Sequence, residues 1–294
     1  MPELPEVETI RRTLNELVAG KTIKSVTVNL PRIIQKPAEP VEFAAALEGQ
    51  TISGVERRGK FLRFIMDDLV LVSHLRMEGN YSVYPSDEPI KLHTHVLFHF
   101  EDGTDLRYKD VRQFGTMHIF RQGEDLLEKP LNKLGIEPVG NPAFTLAALK
   151  KLLSGRKTKM KPLLLNQEYV VGLGNIYVDE SLFLAKIHPE RTADSLTPAE
   201  WKRLYEAIIE TLDKAIEAGG SSVYTYVNSQ GEMGLFQHQF QVYDRKGEPC
   251  VRCGSPIEKF FLAGRGTHIC TRCQKKPVQA NGTTRKEAAI LGTE

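Results

Sequence analysis

Apolar positions recur with two different periods along this chain, and the change of period divides it. Near the start Val7, Ile10, Leu14 and Leu17 fall at helical spacing before Gly20, so a helix over residues 5–18 is expected. Short alternating or apolar runs follow. Ile23, Val26 and Val28 lie in one, and LRFIM, LVLVSHL, HVLFHFE and GTMHIF are others. Glu101-Asp102-Gly103-Thr104 reads as a hairpin turn between two of them. Residues 1–130 are therefore expected to form a helix docked on a β-sandwich. Pro130, Gly135, Pro138, Gly140 and Pro142 mark 131–143 as a linker and hinge.

Beyond the linker the period turns helical, in FTLAALKKLL, KPLLLNQ and NIYVDESLFLA. A long helix is expected over 198–217. Thr197, Pro198 and Glu200 form its start signal, and Gly219-Gly220 its stop. A polar, glycine-rich and aromatic loop occupies 219–238 and completes a helical domain over 144–238. Residues 239–274 hold every cysteine. The tail, 275–294, is polar and expected to be disordered. The fold class is α+β.

The 294 residues suffice for two domains with cores of their own. A net charge of only +2 means that binding to nucleic acid would require lysines and arginines gathered on one face. No segment is long and apolar enough to span a bilayer, and the acidic N-terminus lacks the features of a signal peptide. A cytoplasmic protein without a membrane partner is expected. In such a reducing compartment, cysteines clustered within 250–273 argue for metal rather than disulfides. Cys250-x-x-Cys253 and Cys270-x-x-Cys273, with sixteen residues between the pairs, fit one structural zinc in a ribbon. Four thiolates leave no open position for water.

Chemistry gathers at the beginning of the chain. Removal of Met1 would leave Pro2 as a secondary amine with a pKa far below that of lysine, hence partly neutral near pH 7. Such an amine can attack a sugar carbon and form an imine. Glu3 is beside it and Glu6 one helical turn on, both candidates for proton transfer. Read alone, Pro2 is a good helix starter and the glutamates suit a helix N-terminus. Lys60, in Arg57-Arg58-Gly59-Lys60, could equally be part of a solvated basic turn. Met77 and its neighbours His74 and Arg76, and Phe114 beside Arg112, place apolar side chains among basic ones. An exposed Met usually marks a binding surface, although a half-buried Met is the commoner state. Gly172-Leu173-Gly174-Asn175 can present backbone amides to an anion as it enters a helix. Arg265, flanked by Gly264 and Gly266, suits forked hydrogen bonding to phosphate.

MPELPEVET, RRGKFL, SHLRMEG, YKDVRQFG, GLGNIYVDE, NSQGEMG and the cysteine segment together resemble the formamidopyrimidine-DNA glycosylase family over residues 2 to about 274. The resemblance implies a helix–two-turn–helix domain and a bifunctional glycosylase and lyase acting as a monomer on double-stranded DNA. Its substrates would be 8-oxoguanine, formamidopyrimidines and abasic sites in base excision repair. It implies Pro2 as nucleophile, Glu3 moving protons at the sugar and Glu6 tuning the amine. Lys60 and Arg265 would be phosphate contacts and proton donors. Met77, Arg112 and Phe114 would form a wedge, with Arg112 on the orphaned cytosine. His74, Arg76, His93, Arg156 and Asn175 would contact DNA, and residues 219–238 would meet the extruded base. Gln113 and Tyr224 stand where relatives are commonly basic, and Asn166 where Asp is common. The two lost cations should weaken binding and flatten its salt dependence. Alternatives are a glycosylase for oxidised pyrimidines, a catalytically silent binder of damaged DNA, and a zinc-ribbon scaffold for protein partners.

Overall fold

The computed structural model describes residues 1–222 and 229–276. Tyr224, part of the 219–238 loop, and all but the first two residues of the expected tail lie outside the described residues.

Helix α1 spans Leu4–Val18. Pro5 opens its first turn, and Glu6 reaches back to accept from the Glu3 amide at 2.8 Å. Its apolar stripe buries Leu4, Val7, Ile10, Leu14 and Val18, while Leu17 is only partly covered. The first lobe continues through β1 (Ile23–Val28), β2 (Ile34–Lys36), α2 (Pro40–Leu47), β3 (Gly54–Arg58), β4 (Phe61–Ile65), β5 (Leu69–His74), β6 (Asn80–Pro85), β7 (Thr94–Phe100), β8 (Thr104–Lys109) and β9 (Thr116–Arg121). Two sheets form, ordered β1-β7-β8-β6 and β2-β9-β5-β4-β3. One core lies between them and extends under α1 and α2. Helix α2 lies outside the expected elements. Its two buried residues, Phe43 and Leu47, are too few to set a period.

The run LVLVSHL lacks alternation because β5 is buried on both faces. Leu71 faces the sandwich core, whereas Val70 and Val72 meet Phe120 and Leu131 on the outer side. The start of the linker is thus packed against the sheet.

The second lobe holds α3 (Leu146–Leu153), α4 (Met160–Leu165), α5 (Asn175–Leu184) and α6 (Pro198–Glu217). The expected capping box forms at α6: Glu200 accepts from the Thr197 amide at 2.8 Å and its own amide donates back to Thr197 Oγ1 at 3.3 Å. Helix α5 is central and almost wholly buried, Asp179, Glu180 and Ser181 included. Strands β10 (Glu258–Leu262) and β11 (Arg265–Ile269) form an antiparallel hairpin. Ala263 and Gly264, both at positive φ, make its two-residue turn. A small core of Phe183, Val242, Cys250, Ile257 and Cys270 seats this ribbon on α5. Helix α1 packs on both β3 and α6, so it touches both lobes. Among the described residues no helix is long and apolar enough to cross a membrane.

Candidate active site in the cleft between the lobes

A cleft of about 920 Å³ opens where α1, the β3–β4 turn, the loop after β5, the N-terminus of α5 and the tip of the ribbon meet. Pro2, Glu3, Glu6, Lys60, His74, Arg76, Met77, Arg112, Asn175 and Arg265 all line it. His93, Phe114 and Arg156 do not.

Glu3 and Glu6 join the lobes. The Glu3 carboxylate accepts from the amides of Gly174 at 2.6 Å, Ile176 at 3.0 Å and Tyr177 at 3.4 Å. It therefore occupies the positive end of the α5 dipole. The glycine-rich turn does bind an anion through its backbone, but the anion is the chain's own Glu3 rather than a phosphate. Glycine is required there, because a Cβ on Gly174 would lie 2.3 Å from Glu3 Cδ. Burial pushes the Glu3 carboxyl up to about 7. Lys60 and the amides pull the other way, but desolvation outweighs them. Glu6 accepts from the Ser221 amide at 2.7 Å, from Ser221 Oγ at 3.0 Å and from the Tyr177 hydroxyl.

Lys60 is buried, and its Nζ donates to the Leu173 carbonyl at 2.9 Å. Desolvation holds its pKa below the usual lysine value against the pull of Glu3 and Glu6. Its neighbours are not a solvated basic turn. Arg57 pairs with Glu8 at 3.1 Å and Glu137 at 2.8 Å, and Arg58 with Glu137 at 3.1 Å. The Met1 amine opens into the cleft, and burial lowers its pKa while Glu3 and Glu6 oppose the shift. Pro2 lies buried behind it, its nitrogen held in the Met1–Pro2 peptide.

His74 is buried, and desolvation, reinforced by Arg76 and Lys60, pushes its pKa down to about 3. It is thus neutral near pH 7 and offers no cation to DNA. Its Nδ1 accepts from the Arg76 amide at 2.9 Å, shaping a turn in which Arg76 sits at positive φ. Met77 is 38% exposed beyond it. Arg112 stacks over the Phe114 ring at 5.2 Å, and Phe114 is 54% exposed. His93, also at positive φ, accepts through its carbonyl from the Asp110 amide at 3.1 Å. Arg156 covers the Tyr169 ring at 4.3 Å on another part of the surface. Asn166 makes a local turn, its Oδ1 accepting from the Glu168 amide at 2.9 Å, a bond that Asp would make equally well.

Arg265 is exposed at the ribbon tip. A polar network that the motif spacing did not single out holds it there. Lys161 Nζ donates to Asp179 Oδ1 at 2.7 Å and to the Gly266 carbonyl at 2.8 Å, and Asn175 Nδ2 donates to the same carbonyl at 2.9 Å. Asp179 Oδ2 accepts from the His268 amide at 2.9 Å. Glu180 accepts from the amides of Gln241, Val242 and Tyr243 at 2.8 to 3.0 Å. The available signal was a pair of adjacent acids inside an otherwise apolar helix. Buried carboxylates need partners, so such a pair marks a junction.

The four cysteine sulfurs lie within 4.8 Å of one another. Cys250 and Cys273 are 3.9 Å apart and Cys253 and Cys270 3.4 Å, too far for disulfides. A tetrahedron with Zn–S bonds of about 2.3 Å has edges of about 3.8 Å, so the set fits one zinc ion.

A sandwich lobe, a helical lobe and a four-cysteine ribbon around one cleft with cationic walls define a class, the bilobal helix–two-turn–helix DNA glycosylases. Three family models match in order: formamidopyrimidine-DNA glycosylase N-terminal domain over 1–117, formamidopyrimidine-DNA glycosylase H2TH domain over 134–227, and a zinc finger found in FPG and IleRS over 247–276. The formamidopyrimidine-DNA glycosylase of Brevibacillus brevis is 59% identical over 275 residues, covering 94% of this chain and 99% of that one. A point mutant of the Lactococcus lactis FPG in complex with a Fapy-dG containing DNA superposes with a TM-score of 0.88 at 43% identity, over 94% of this chain and all of that one. The Lactococcus lactis Fpg with an abasic site containing DNA gives 0.87 at 44% identity, over 93% of this chain and 100% of that one. The chain belongs to the formamidopyrimidine-DNA glycosylase family.

Proposed function

We propose that this protein excises oxidised purines, 8-oxoguanine and formamidopyrimidines, from duplex DNA and then cleaves the strand at the abasic site, working as a monomer in base excision repair. The observation that carries the reading is the start of the chain. Its first amine lines the cleft beside Glu3 and Lys60, where burial lowers its pKa below the usual amine value and so favours the nucleophilic form. Removal of Met1 transfers that role to Pro2.

The Pro2 nitrogen attacks C1′ of the damaged nucleotide, and the bond from C1′ to the base breaks. The base leaves with a proton, and opening of the sugar ring gives an iminium on Pro2. Glu3, poised near neutrality, moves protons at the sugar. The iminium acidifies the C2′ proton. Its loss expels the 3′ phosphate, and a second elimination expels the 5′ phosphate. Lys60 and Arg265 hold the phosphates and return protons to them. Arg76 and Asn175 add to the grip, and His74 supports it by shaping the Arg76 turn. His93 and Arg156 extend it along the backbone outside the cleft. Met77, Arg112 and Phe114 fill the vacated stack, Arg112 against the opposite cytosine. Zinc on Cys250, Cys253, Cys270 and Cys273 keeps the ribbon folded and takes no part in the chemistry.

Borohydride reduction tests this reading. Wild-type protein should cross-link to an 8-oxoguanine duplex, and Pro2→Gly should weaken the cross-link. Tight binding without any cross-link would favour a silent damage binder. Faster release of thymine glycol than of 8-oxoguanine would favour an oxidised-pyrimidine enzyme.

A further inference from the structure

Residues 110–115, between β8 and β9, carry Arg112 and Phe114. The base of this loop is held from within. The buried Asp110 carboxylate accepts from the Arg112 amide at 3.1 Å, the Gly115 amide at 2.8 Å and the Tyr108 hydroxyl at 3.2 Å. The crest is different. Gln113 sits there at a φ of 59°, a conformation that L-residues other than Asn and Asp seldom adopt without support. Its side chain is tied, at the exposed surface, to a residue far along the chain. Arg32, in the 3₁₀ turn Pro31–Ile33, donates from Nη2 to Gln113 Oε1. The Arg32 turn is itself braced, because the Arg32 carbonyl accepts from Gln35 Nε2 at 2.7 Å. Gln113 lies directly between Arg112 and Phe114, so a tie on its side chain restrains the segment that carries both neighbours.

We propose that Arg32 is a positioning residue: through Gln113 it fixes the crest that presents Arg112 to the base opposite the lesion, and it thereby sets discrimination among opposite bases. The proposal rests on the glycosylase reading above. A guanidinium serving only as a phosphate contact would need no acceptor at Gln113. Here one of its terminal nitrogens, Nη2, donates to the amide oxygen of the residue between Arg112 and Phe114. Among the described residues no carboxylate lies within ion-pair distance of Arg32, so the Gln113 amide is not competing with an acid for it.

The test is single-turnover excision of 8-oxoguanine paired with cytosine or with adenine, for wild type, Arg32→Ala, Gln113→Ala and the double variant. The cytosine-to-adenine rate ratio should fall about two- to tenfold in each single variant, the range spanned by one net hydrogen bond. The double variant should fall no further, because both changes remove the same bond. Melting midpoints report whether each variant is folded. If Arg32→Ala weakens binding equally for every opposite base while Gln113→Ala behaves as wild type, Arg32 is a plain phosphate contact and the proposal is wrong. Unchanged ratios in folded variants overturn it as well. A wild type that never cross-links under borohydride would instead sink the glycosylase reading on which it stands.

Discussion

Glu3 is a structural tie between the lobes, and in the proposed mechanism the same carboxyl carries protons. Three amides at the α5 N-terminus favour its charged form, yet burial raises its pKa to about 7. The folded protein therefore binds this proton more tightly than the unfolded chain does. Stability from this group is greatest below the unfolded carboxyl pKa and falls as pH rises towards 7. Glu3→Gln removes the titration. The melting temperature of the variant relative to wild type should rise between about pH 4.5 and 7 and then level off, by an amount corresponding to a few kcal/mol. Parallel melting curves across that range would contradict the assignment. Arg265→Ala removes one exposed cation without disturbing the core. It should lower the slope of log affinity against log salt by about 0.9 while leaving the melting temperature unchanged. The candidate residues were legible one at a time, because proline, glutamate, lysine and arginine carry their chemistry with them. Their partners were not. Nothing near Glu3 in the chain points to Gly174, 171 positions away.

At the scale of elements, helix α5 is the piece on which the others converge. Its N-terminus receives Glu3, its first turn carries Asn175 and Tyr177, and Asp179 and Glu180 hold the ribbon and residues 241–243. The turn before it has no spare space. Gly174→Ala places a methyl group 2.3 Å from Glu3 Cδ, although its φ of −132° suits any residue. The strain is steric, so the variant should lose about 1–3 kcal/mol in urea denaturation and should cross-link to DNA far more slowly. Retained cross-linking would mean that Glu3 can work away from α5. Helices α1 and α6 were readable from period and end signals, whereas α5, buried on nearly every side, was read only as an apolar run after a glycine turn. Helix α2 was too short to show a period, and the two-sided burial of β5 removed the alternation that usually marks a strand.

At the scale of the whole molecule, two cores and a metal-sized thiolate cluster are joined by few but buried polar ties. The ribbon's own core is small and includes two of its cysteines. Stripping zinc with a chelator should therefore abolish tight DNA binding while the sandwich lobe still melts cooperatively, as calorimetry can show. Loss of both transitions together would mean that the ribbon supports the entire fold. The sequence by itself determined the order of lobes, the period of their elements, the thiolate set and the kinds of chemistry available, because periodicity and ligand spacing are local properties of a chain. Only the tertiary structure decided which charges are usable. His74 is driven neutral by burial, the arginines before Lys60 are taken up by Glu8 and Glu137, and the α5 dipole is filled by Glu3. Desolvation and long-range pairing depend on what lies nearby in space, and that is set by how the lobes pack.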